Sequence, residues 1–267
     1  MQTIFNKPLF INQKTLNTMK KFFAIAAMAA MVFACNEPTP GPEPGPGPDV
    51  PGPGPEPVEL PACLKGSDYY PIVMDAVTYG HIENKVAADL RVDDFNTHLW
   101  IWENTYVAGT STGPNYFGEV EGWVALQVGS VGWSGAGFCC YDPAKLTKLA
   151  DITANPADYV LHLAMKSQDA ATHEFVFYSD GGAEAKLAVD VDGVYGFARD
   201  GEWHAIEVPM TYFTNNGLLW TSALGAGSVP GNNVDVIPTG GHNVMAVLSG
   251  ASGALNLDAC FIYKPAI

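Results

Sequence analysis

Short runs of apolar residues, many of them alternating with polar ones, fill the chain from residue 71 onward and are separated by Gly, Asn, Asp or Pro. Runs of this kind, rich in β-branched and aromatic side chains, predict β-strands. Nine of them stand out, at residues 71–79, 97–106, 122–129, 158–167, 173–180, 184–190, 202–210, 242–250 and 253–264. Because no long helical pattern separates them, the sequence predicts an all-β fold, a β-sandwich of the jelly-roll type.

Two short segments carry helix signals within this β pattern. Asp142-Pro143 combines a preferred N-cap with proline at the first helical position, which predicts a helix running to about Ala150. A further turn or two is predicted from Pro209 to Asn216, where Gly217 supplies a C-terminal stop. The expected fold is therefore a β-sandwich with one or two short helices.

The last strand and the glycine-rich stretch before the first helix give two further expectations. Strict alternation over residues 255–264 predicts two faces, one of which carries Leu255, Leu257, Ala259, Phe261 and Tyr263. Residues 129–138, GSVGWSGAGF, contain a glycine at every second or third position. Such spacing predicts a loop or a bulge rather than a regular strand.

The chain before residue 60 has the pattern of an export signal. Lys20 and Lys21 precede the apolar run FFAIAAMAAMVFA, which ends at Cys35. The run is shorter than the roughly 20 apolar residues that a membrane-spanning helix needs. We therefore interpret residues 1–35 as a signal peptide, with Met19 as the better start and residues 1–18 as an extension outside the fold.

The end of this run resembles the lipobox of bacterial lipoproteins, in the residues Val32-Phe33-Ala34-Cys35. In that family the cysteine is lipidated and becomes the new N-terminus, so the resemblance implies a lipid on Cys35. An ordinary signal peptide with a chance cysteine is the alternative.

Residues 36–59 form a predicted linker ahead of a β-sandwich domain at residues 60–267. Proline fills half of residues 38–57 and glycine a quarter. Proline-rich chain adopts extended polyproline II, so this strip could hold a domain up to roughly 60 Å from a membrane.

The charge of the chain narrows the classes of ligand. There are 13 lysines and arginines against 28 aspartates and glutamates, a net charge of −15. A surface this acidic repels phosphate backbones, so nucleic acid binding is not expected. Neutral ligands and cations remain open.

Four cysteines follow the predicted lipid anchor: Cys63, Cys139, Cys140 and Cys260. None has the CxxC spacing of a zinc or redox site. Cys63 and Cys260 lie at the two ends of the predicted domain and would form a disulfide if the termini meet. Four separate buried thiols are the alternative.

Two segments near the C-terminus carry a resemblance to a known fold family. GEWHAIEVPM at 201–210 and LNLDACFIYK at 255–264 look like the closing half of galactose-binding-like jelly rolls. Such jelly rolls form carbohydrate-binding modules and the non-catalytic lipoproteins of glycan-degrading Gram-negative gut bacteria. The resemblance covers about 100 residues from Tyr159 onward, and it implies a fold and a glycan ligand without naming the sugar.

Tryptophans are the main candidates for glycan binding, because an aromatic ring can stack on the apolar C–H face of a sugar. Trp100 and Trp102 lie on a run that is apolar on both faces, which predicts an interior position, and Trp203 is also expected to be interior. The predicted binding platforms are instead Trp133 on the glycine-rich loop, Trp123 on a partly polar sheet face and Trp220 after the second helix.

Further candidates lie close to these rings in the sequence. Tyr116 and Phe117 occur in a second glycine-rich stretch and are expected to serve as platforms of the same kind. Hydrogen bonds to sugar hydroxyls are assigned to the polar side chains of Glu103, Asn104, Asn115 and Gln127. Turn formation and solvation are the alternative roles for these four.

A structural calcium ion is the remaining implication of the resemblance. Galactose-binding-like jelly rolls often hold Ca²⁺ near the chain ends through oxygen ligands, and the aspartate of the last strand is sometimes one of them. Asp258 occupies that position in this sequence. Asp258 is therefore the candidate metal ligand.

Catalysis is not expected from the motifs present. The sequence contains no HExxH, no GxSxG and no phosphate-binding loop. The sequence favours a lipid-anchored, non-catalytic polysaccharide-binding protein of the outer membrane, at the cell surface or on the periplasmic face. It would work with outer-membrane glycan transporter components. A structural or adhesive surface lipoprotein, and a jelly-roll glycoside hydrolase or lyase, are the alternatives.

Overall fold

The structure is a computed structural model that describes residues 59–91, 99–110, 113–119, 123–128, 132–226, 242–250 and 253–266. The predicted signal peptide, Cys35 and almost all of the predicted linker lie outside these ranges. Those assignments remain predictions.

Within these ranges the chain forms eleven strands, which pair antiparallel into two sheets. Their bounds are β1 Ser67–Val73, β2 Leu99–Ile101, β3 Tyr106–Thr110, β4 Val124–Val128, β5 Ser134–Cys140, β6 Val160–Lys166, β7 His173–Tyr178, β8 Glu184–Val189, β9 His204–Pro209, β10 His242–Ser249 and β11 Leu255–Lys264. The six-stranded sheet has the order β3-β4-β11-β6-β9, with β1 also paired to β11. The five-stranded sheet has the order β2-β5-β10-β7-β8. The predicted all-β sandwich is confirmed.

The main core lies between the two sheets. Alternate residues of the central strands point inward and are fully buried, among them Leu161 and Leu163 of β6 and Phe175 and Phe177 of β7. Burying a side chain of this size contributes about 1.5–3 kcal/mol relative to leaving it in water. Each sheet therefore has one face fixed by the core, and function must be sought on the outer faces or at the rims.

Four short α-helices accompany the sheets: α1 Ala76–Gly80, α2 Pro143–Leu146, α3 Ala150–Ala154 and α4 Met210–Asn215. Both predicted helices are confirmed, since the side chain of Asp142 accepts a hydrogen bond from Ala144 N at 2.9 Å and Gly217 ends the second with φ +95°. The prediction missed α1 by extending the first strand to residue 79. Asp75 stops that strand, because its side chain caps α1 by accepting from Thr78 N at 2.8 Å.

The prediction of a loop at residues 129–138 was wrong for its second half. Ser134 opens β5, which is buried along its whole length and pairs with both β2 and β10. Gly135 and Gly137 are tolerated within it because neighbouring side chains occupy the space of their missing β-carbons.

The predicted faces of the last strand were also wrong beyond residue 258. The register of β11 against β6 shifts between Asp258 and Phe261, and Ala259 has φ +44°. This bulge reverses the alternation. Leu255 and Leu257 share a face as predicted, and that face points into the main core, but Ala259 faces the opposite side, as do Phe261 and Tyr263.

A second apolar cluster covers the outer face of the six-stranded sheet. It joins Phe261 and Tyr263 of β11 to Leu64, Tyr69 and Ile82 from the start of the described chain. Tyr69 and Tyr263 stack with ring centroids 5.5 Å apart. This cluster occupies most of that face. A smaller cluster lies on the outer face of the five-stranded sheet, where Trp102 and Leu248 pack against the buried residues Val176, Tyr178 and Ala246.

The four cysteines of the described chain are separate buried thiols. Cys63 belongs to the outer cluster and Cys260 to the main core, so the two thiols lie on opposite faces of the six-stranded sheet. In the same part of the chain, no helix has both the length and the apolar character needed to cross a membrane.

Candidate functional site

Aromatic side chains line one edge of the outer face of the five-stranded sheet. In β5 the residues Ala136 and Phe138 belong to the core, so the alternating Gly135, Gly137 and Cys139 face outward. Trp102 and Trp133 lie over the beginning of β5, and Trp100 and Tyr141 follow toward its end. These four side chains, Trp133, Trp102, Trp100 and Tyr141, are called the aromatic row below.

The first half of the row rests on Gly135. A β-carbon at this position would lie 2.7 Å from the Trp102 ring, 2.8 Å from the Trp133 ring and 3.2 Å from the Leu248 side chain. Both indoles remain partly exposed to solvent. The absence of a side chain on Gly135 therefore lets two half-buried rings settle onto the sheet.

The second half of the row is fixed by pairing and hydrogen bonding. Trp100 lies opposite Gly137 in the β2–β5 register, and its Nε1 donates to the Tyr141 hydroxyl at 2.7 Å. The side chain of Asn243, from β10, fills the space over Gly137, with Oδ1 2.5 Å from the position of a β-carbon. The row thus runs along β5 for about 20 Å, at about 3.3 Å per residue.

Two polar groups beside the row have no hydrogen-bond partner among the described residues. They are Nε1 of Trp102 and Nδ2 of Asn243, both buried at the atom level. Asn243 is fully buried, and its Oδ1 accepts only a weak hydrogen bond from the Cys139 thiol at 3.7 Å. Buried polar groups are nearly always hydrogen-bonded, so these two atoms are exceptions among the described residues.

Glu103 stands next to Trp102 in a strained conformation. It is exposed and has φ 50° and ψ 28°, the left-handed region that non-glycine residues rarely adopt. This strain turns the backbone away from β2 immediately after Trp102, and strain of this kind is found at functional sites. The backbone of Asn104 completes the same 3-10 turn, and its side chain lies outside what the structure describes.

The interior positions predicted for Trp100 and Trp102 were wrong. Both lie on the outer face because β2 is only three residues long and the chain turns at Glu103. Sequence reasoning also missed Tyr141 and Asn243. The glycines at 135 and 137 could have signalled the site, since two outward glycines in one strand make room for large side chains from its neighbours.

Three predicted platforms lie on the other sheet. Trp123 is only 5% exposed and packs edge-on against Trp203, with ring centroids 5.8 Å apart. Tyr116 and Phe117 are partly exposed, but their rings pack against each other at 5.0 Å and against His162 at 5.5 and 6.5 Å. These rings fasten the loop at 113–119 to the outer face of the six-stranded sheet.

Trp203 also packs against the loop at 113–119. Its ring is half-buried rather than interior, and Nε1 donates to the Pro114 carbonyl oxygen at 3.1 Å. Lys166 lies 5.9 Å from the ring centroid. Trp203 therefore holds the same loop from its other side.

Asn115 organises that loop from within. Its Oδ1 accepts from Phe117 N at 3.0 Å and from Glu119 N at 2.9 Å, while its Nδ2 donates to Asp75 Oδ2 at 3.0 Å. Because the side chain is 2% exposed, these contacts define a structural role. Turn formation, the alternative kept open for Asn115, describes it better than ligand binding.

Trp220 and Gln127 are the remaining candidates from the sequence. Trp220 is 1% exposed, and its Nε1 donates to the Tyr178 carbonyl oxygen at 2.8 Å, so its ring has no face open to a ligand. It belongs to the core because α4 and the following turn fold back over β7. Gln127 is exposed on β4, opposite Val107, and is part of the six-stranded sheet. The structure therefore brings only Trp133 and Glu103, of the predicted residues with described side chains, to the aromatic row.

Asp258 is fully buried at the bulge of β11. Its Oδ2 accepts from Tyr116 N at 2.8 Å, while Oδ1 has no partner among the described residues. Burial raises the pKa of Asp258 to about 7; hydrogen bonds from the Tyr116 and Ala259 backbone oppose the rise, and the charge of Asp75 adds to it.

The groups around Asp258 do not fit a calcium ion. Ca²⁺ takes six to eight oxygen ligands. Both carboxylate oxygens of Asp75 and the Oδ1 of Asn115 already accept hydrogen bonds. No cluster of three or more His, Cys, Asp or Glu side chains suited to a metal occurs in the described ranges. Calcium binding stays a prediction from the resemblance alone.

Comparisons with known proteins give distant structural likenesses. No protein-family model and no curated protein matches the sequence. The chain is similar to an exo-β-agarase, at 10% identity and a TM-score of 0.41 over 66% of this chain and 24% of that one. It is also similar to a family 30 carbohydrate-binding module, at 11% identity and a TM-score of 0.38 over 62% and 91% of the two chains.

A third likeness is to the family 11 carbohydrate-binding module of a cellulosomal cellulase from Clostridium thermocellum. It has 12% identity and a TM-score of 0.34 over 62% of this chain and 88% of that one. The chain thus spans about a quarter of the agarase and most of each module. These likenesses are too distant to bear on function, which has to be argued from the site.

Proposed function

We propose that this protein binds glycans along the aromatic row on the outer face of the five-stranded sheet. One observation carries the proposal: Trp102 and Trp133 settle onto Gly135 as partly exposed neighbouring rings. Half-buried tryptophans held side by side on a rigid strand form a platform for flat, partly apolar ligands. The faces of sugar rings have this character.

A polar side chain beside the row complements a sugar's hydroxyls. Glu103 offers an exposed carboxylate next to Trp102, and a carboxylate accepts hydrogen bonds from hydroxyl groups. Stacking would therefore supply affinity, and this carboxylate would supply orientation.

A neutral oligosaccharide or polysaccharide is the favoured ligand class. The net charge of −15 opposes the approach of acidic polymers at low ionic strength. A row of about 20 Å is also longer than one sugar ring and suits several linked units. Aromatic side chains bind without transferring protons, and Glu103 alone does not make the pair of carboxyl groups that glycoside hydrolysis uses, which supports a non-catalytic role.

The location of the protein follows from the sequence in this proposal. A lipid on Cys35 would anchor the chain in the outer membrane, and the linker at 36–59 would hold the sandwich away from the membrane. Bound glycan would then be presented to outer-membrane glycan transporter components. Radiolabelled palmitate would be incorporated into the wild-type chain but not into a Cys35→Ala variant.

Titration of intrinsic tryptophan fluorescence with a set of glycans tests the binding proposal. Suitable probes are β-1,4-galactotriose, a β-1,3-1,4-linked glucotetraose, agaro-oligosaccharides and sodium polygalacturonate. We expect a saturable change with at least one neutral probe, and no release of reducing sugar on prolonged incubation. A flat response to every probe would overturn the proposal, and release of reducing sugar would favour the enzyme alternative.

A further inference from the structure

The aromatic row leads into a cavity at the C-terminal end of β5. The cavity has a volume of about 280 Å³ and is lined by Asp89, Arg91, Tyr141, Asp142 and Lys145 together with the end of β5. Tyr141 belongs to both features, since its ring lines the cavity and its hydroxyl accepts from Trp100 Nε1. A ligand lying on the row would therefore meet this cavity at one end.

One wall of the cavity is a fixed pair of opposite charges. Arg91 donates from Nε to Asp89 Oδ1 at 3.0 Å and from an Nη nitrogen to Asp89 Oδ2 at 2.9 Å. The guanidinium lies 3.5 Å from the centre of the Tyr79 ring, which holds it in place. Burial works to raise the pKa of Asp89, but the hydrogen bonds and charge of Arg91 outweigh burial and keep that pKa below its ordinary value. The wall is thus an ionised carboxylate in a fixed orientation.

Lys145 supplies a second positive charge to the cavity lining. It is half-buried on α2, and its side chain forms no ion pair or hydrogen bond with the residues that the structure describes. Its charge nevertheless reaches the cavity, because it contributes to the lowered pKa of Asp89. An ammonium group of this kind has three donors to offer to a ligand.

Among the described residues that line the cavity, the charges cancel. Asp89 and Asp142 supply two negative charges, and Arg91 and Lys145 supply two positive ones. An anionic ligand would be repelled by the two carboxylates and a cationic ligand by the two cations. Neither would therefore be attracted by the four charges taken together. A neutral ligand with many hydroxyls can use donors and acceptors together, and each hydrogen bond to a charged group is stronger than a neutral one.

The size of the cavity agrees with a single sugar ring. A cavity of about 150 Å³ is enough to hold benzene in a protein. The present volume of about 280 Å³ therefore has room for a six-membered ring with its hydroxyl groups.

We propose that this cavity is the end subsite of the glycan site and holds one neutral sugar ring. Hydroxyls of that ring donate to the Asp89 carboxylate and accept from Lys145. Tyr141 connects this ring to those stacked on Trp100 and Trp102. The inference rests on the proposed function, and it adds that the cavity residues determine specificity at one end of the bound chain.

Isothermal titration of single variants with the neutral oligosaccharide that binds wild type most tightly tests the inference. Lys145→Ala removes the ammonium donor, and Asp89→Asn removes the charged acceptor. Lys148→Ala is the matched control, because Lys148 is an exposed lysine one turn further along that lies outside the cavity. Thermal unfolding of each variant separates loss of binding from loss of fold. Lys145→Ala is expected to leave the fold intact, because the Lys145 side chain forms no hydrogen bond or ion pair with the described residues.

We expect Lys145→Ala and Asp89→Asn each to weaken binding about tenfold or more, with Lys148→Ala unchanged. Wild-type affinity in both cavity variants, combined with lost affinity in Trp102→Ala, would overturn the subsite while leaving the glycan row in place. Tighter binding of sodium polygalacturonate than of neutral probes would overturn the assignment of a neutral ring. If no probe binds wild type, the proposed function fails and the subsite fails with it.

Discussion

The Trp102 indole lies 2.7 Å from the point where a β-carbon on Gly135 would stand. Trp133 approaches the same point to 2.8 Å, so both rings depend on this one missing side chain. We predict that Gly135→Ala displaces both indoles, weakens glycan binding at least tenfold and lowers the free energy of unfolding by about 1–3 kcal/mol. Calorimetric titration and urea unfolding measure the two effects.

Gly132→Ala is the matched control for this change. Gly132 lies next to Trp133, and a β-carbon there meets nothing within 4 Å. The Gly132→Ala variant should therefore bind glycan with the affinity of wild type. Equal affinities for Gly135→Ala and Gly132→Ala would show that the two rings do not form the platform.

The variant Asn115→Ala tests whether Asn115 stabilises the fold or binds glycan, the role that the sequence predicted. Removing this buried amide leaves two backbone N–H groups and a carboxylate oxygen of Asp75 without their partner. We predict a loss of at least about 3 kcal/mol in the free energy of unfolding, measured by urea, since each of the three unsatisfied groups costs about 1–3 kcal/mol. Glycan affinity should remain unchanged because the loop lies on the other sheet; a tenfold loss in a folded variant would return Asn115 to the site.

The buried carboxyl of Asp258 predicts a dependence of stability on pH. Its pKa rises from 3.8 to about 7 on folding because of burial. The folded state therefore binds the proton more tightly than the unfolded state, and this contribution to stability is complete below about pH 4 and lost as the pH rises through 7. Ionisation leaves a buried charge next to Asp75.

Asp258→Asn isolates this effect from those of the buried histidines, whose lowered pKa values act in the opposite direction below pH 6.5. The stability of the variant relative to wild type should improve by roughly 2–3 kcal/mol between pH 5 and pH 8, at about 1.4 kcal/mol per unit of pKa shift. Urea unfolding at the two pH values gives the difference directly. A difference that does not change with pH would mean that Asp258 titrates normally.

The buried cysteines are expected to be unreactive in the folded protein. Burial raises the pKa of Cys63 to about 11 and that of Cys139 to about 12, so few thiolates exist at neutral pH. Alkylation of the native protein followed by peptide mapping should leave Cys63, Cys139, Cys140 and Cys260 unmodified, and unfolding without reductant should expose all four. Recovery of a Cys63–Cys260 disulfide peptide would contradict the structure.

The strand pattern of the sequence was sufficient to predict the sandwich. The run at 184–190 alternates cleanly, the run at 173–180 is rich in aromatic and β-branched residues, and both end at turn residues. The same pattern was insufficient for β5, because Gly135 and Gly137 indicate a loop when only the local sequence is considered. Both glycines are accommodated in a strand because the side chains of Trp102, Trp133 and Asn243 fill the space of their missing β-carbons.

The faces of β11 show a second limit of pattern reading. A bulge adds one residue to a strand, and every later side chain then changes face. Nothing in LNLDACFIYK marks Ala259 as the extra residue, because alanine is neither a turn former nor suited to positive φ. The position is set by tertiary contacts, including the hydrogen bond between His162 Nδ1 and the Ala259 carbonyl oxygen at 2.7 Å.

The sequence predicted the type of residue at the proposed binding site, but only some of the residues that form it. Tryptophan was a sound expectation for the main binding residue. Which of the tryptophans are buried and which are exposed, however, cannot be read from their spacing along the chain. Trp220 is enclosed by core residues, whereas Trp102, on a run apolar on both sides, is brought to the surface by the turn at Glu103.

The central claim is tested most directly by titrating Trp102→Ala and Trp203→Ala with the glycan that binds wild type most tightly. Both residues are half-buried tryptophans, but Trp203 lies on the outer face of the opposite sheet. Losing an aromatic anchor at a binding site typically costs at least about 2 kcal/mol, so Trp102→Ala should bind roughly 30-fold more weakly while Trp203→Ala matches wild type. Retained affinity in Trp102→Ala together with loss in Trp203→Ala would place the glycan on the other sheet and contradict the account.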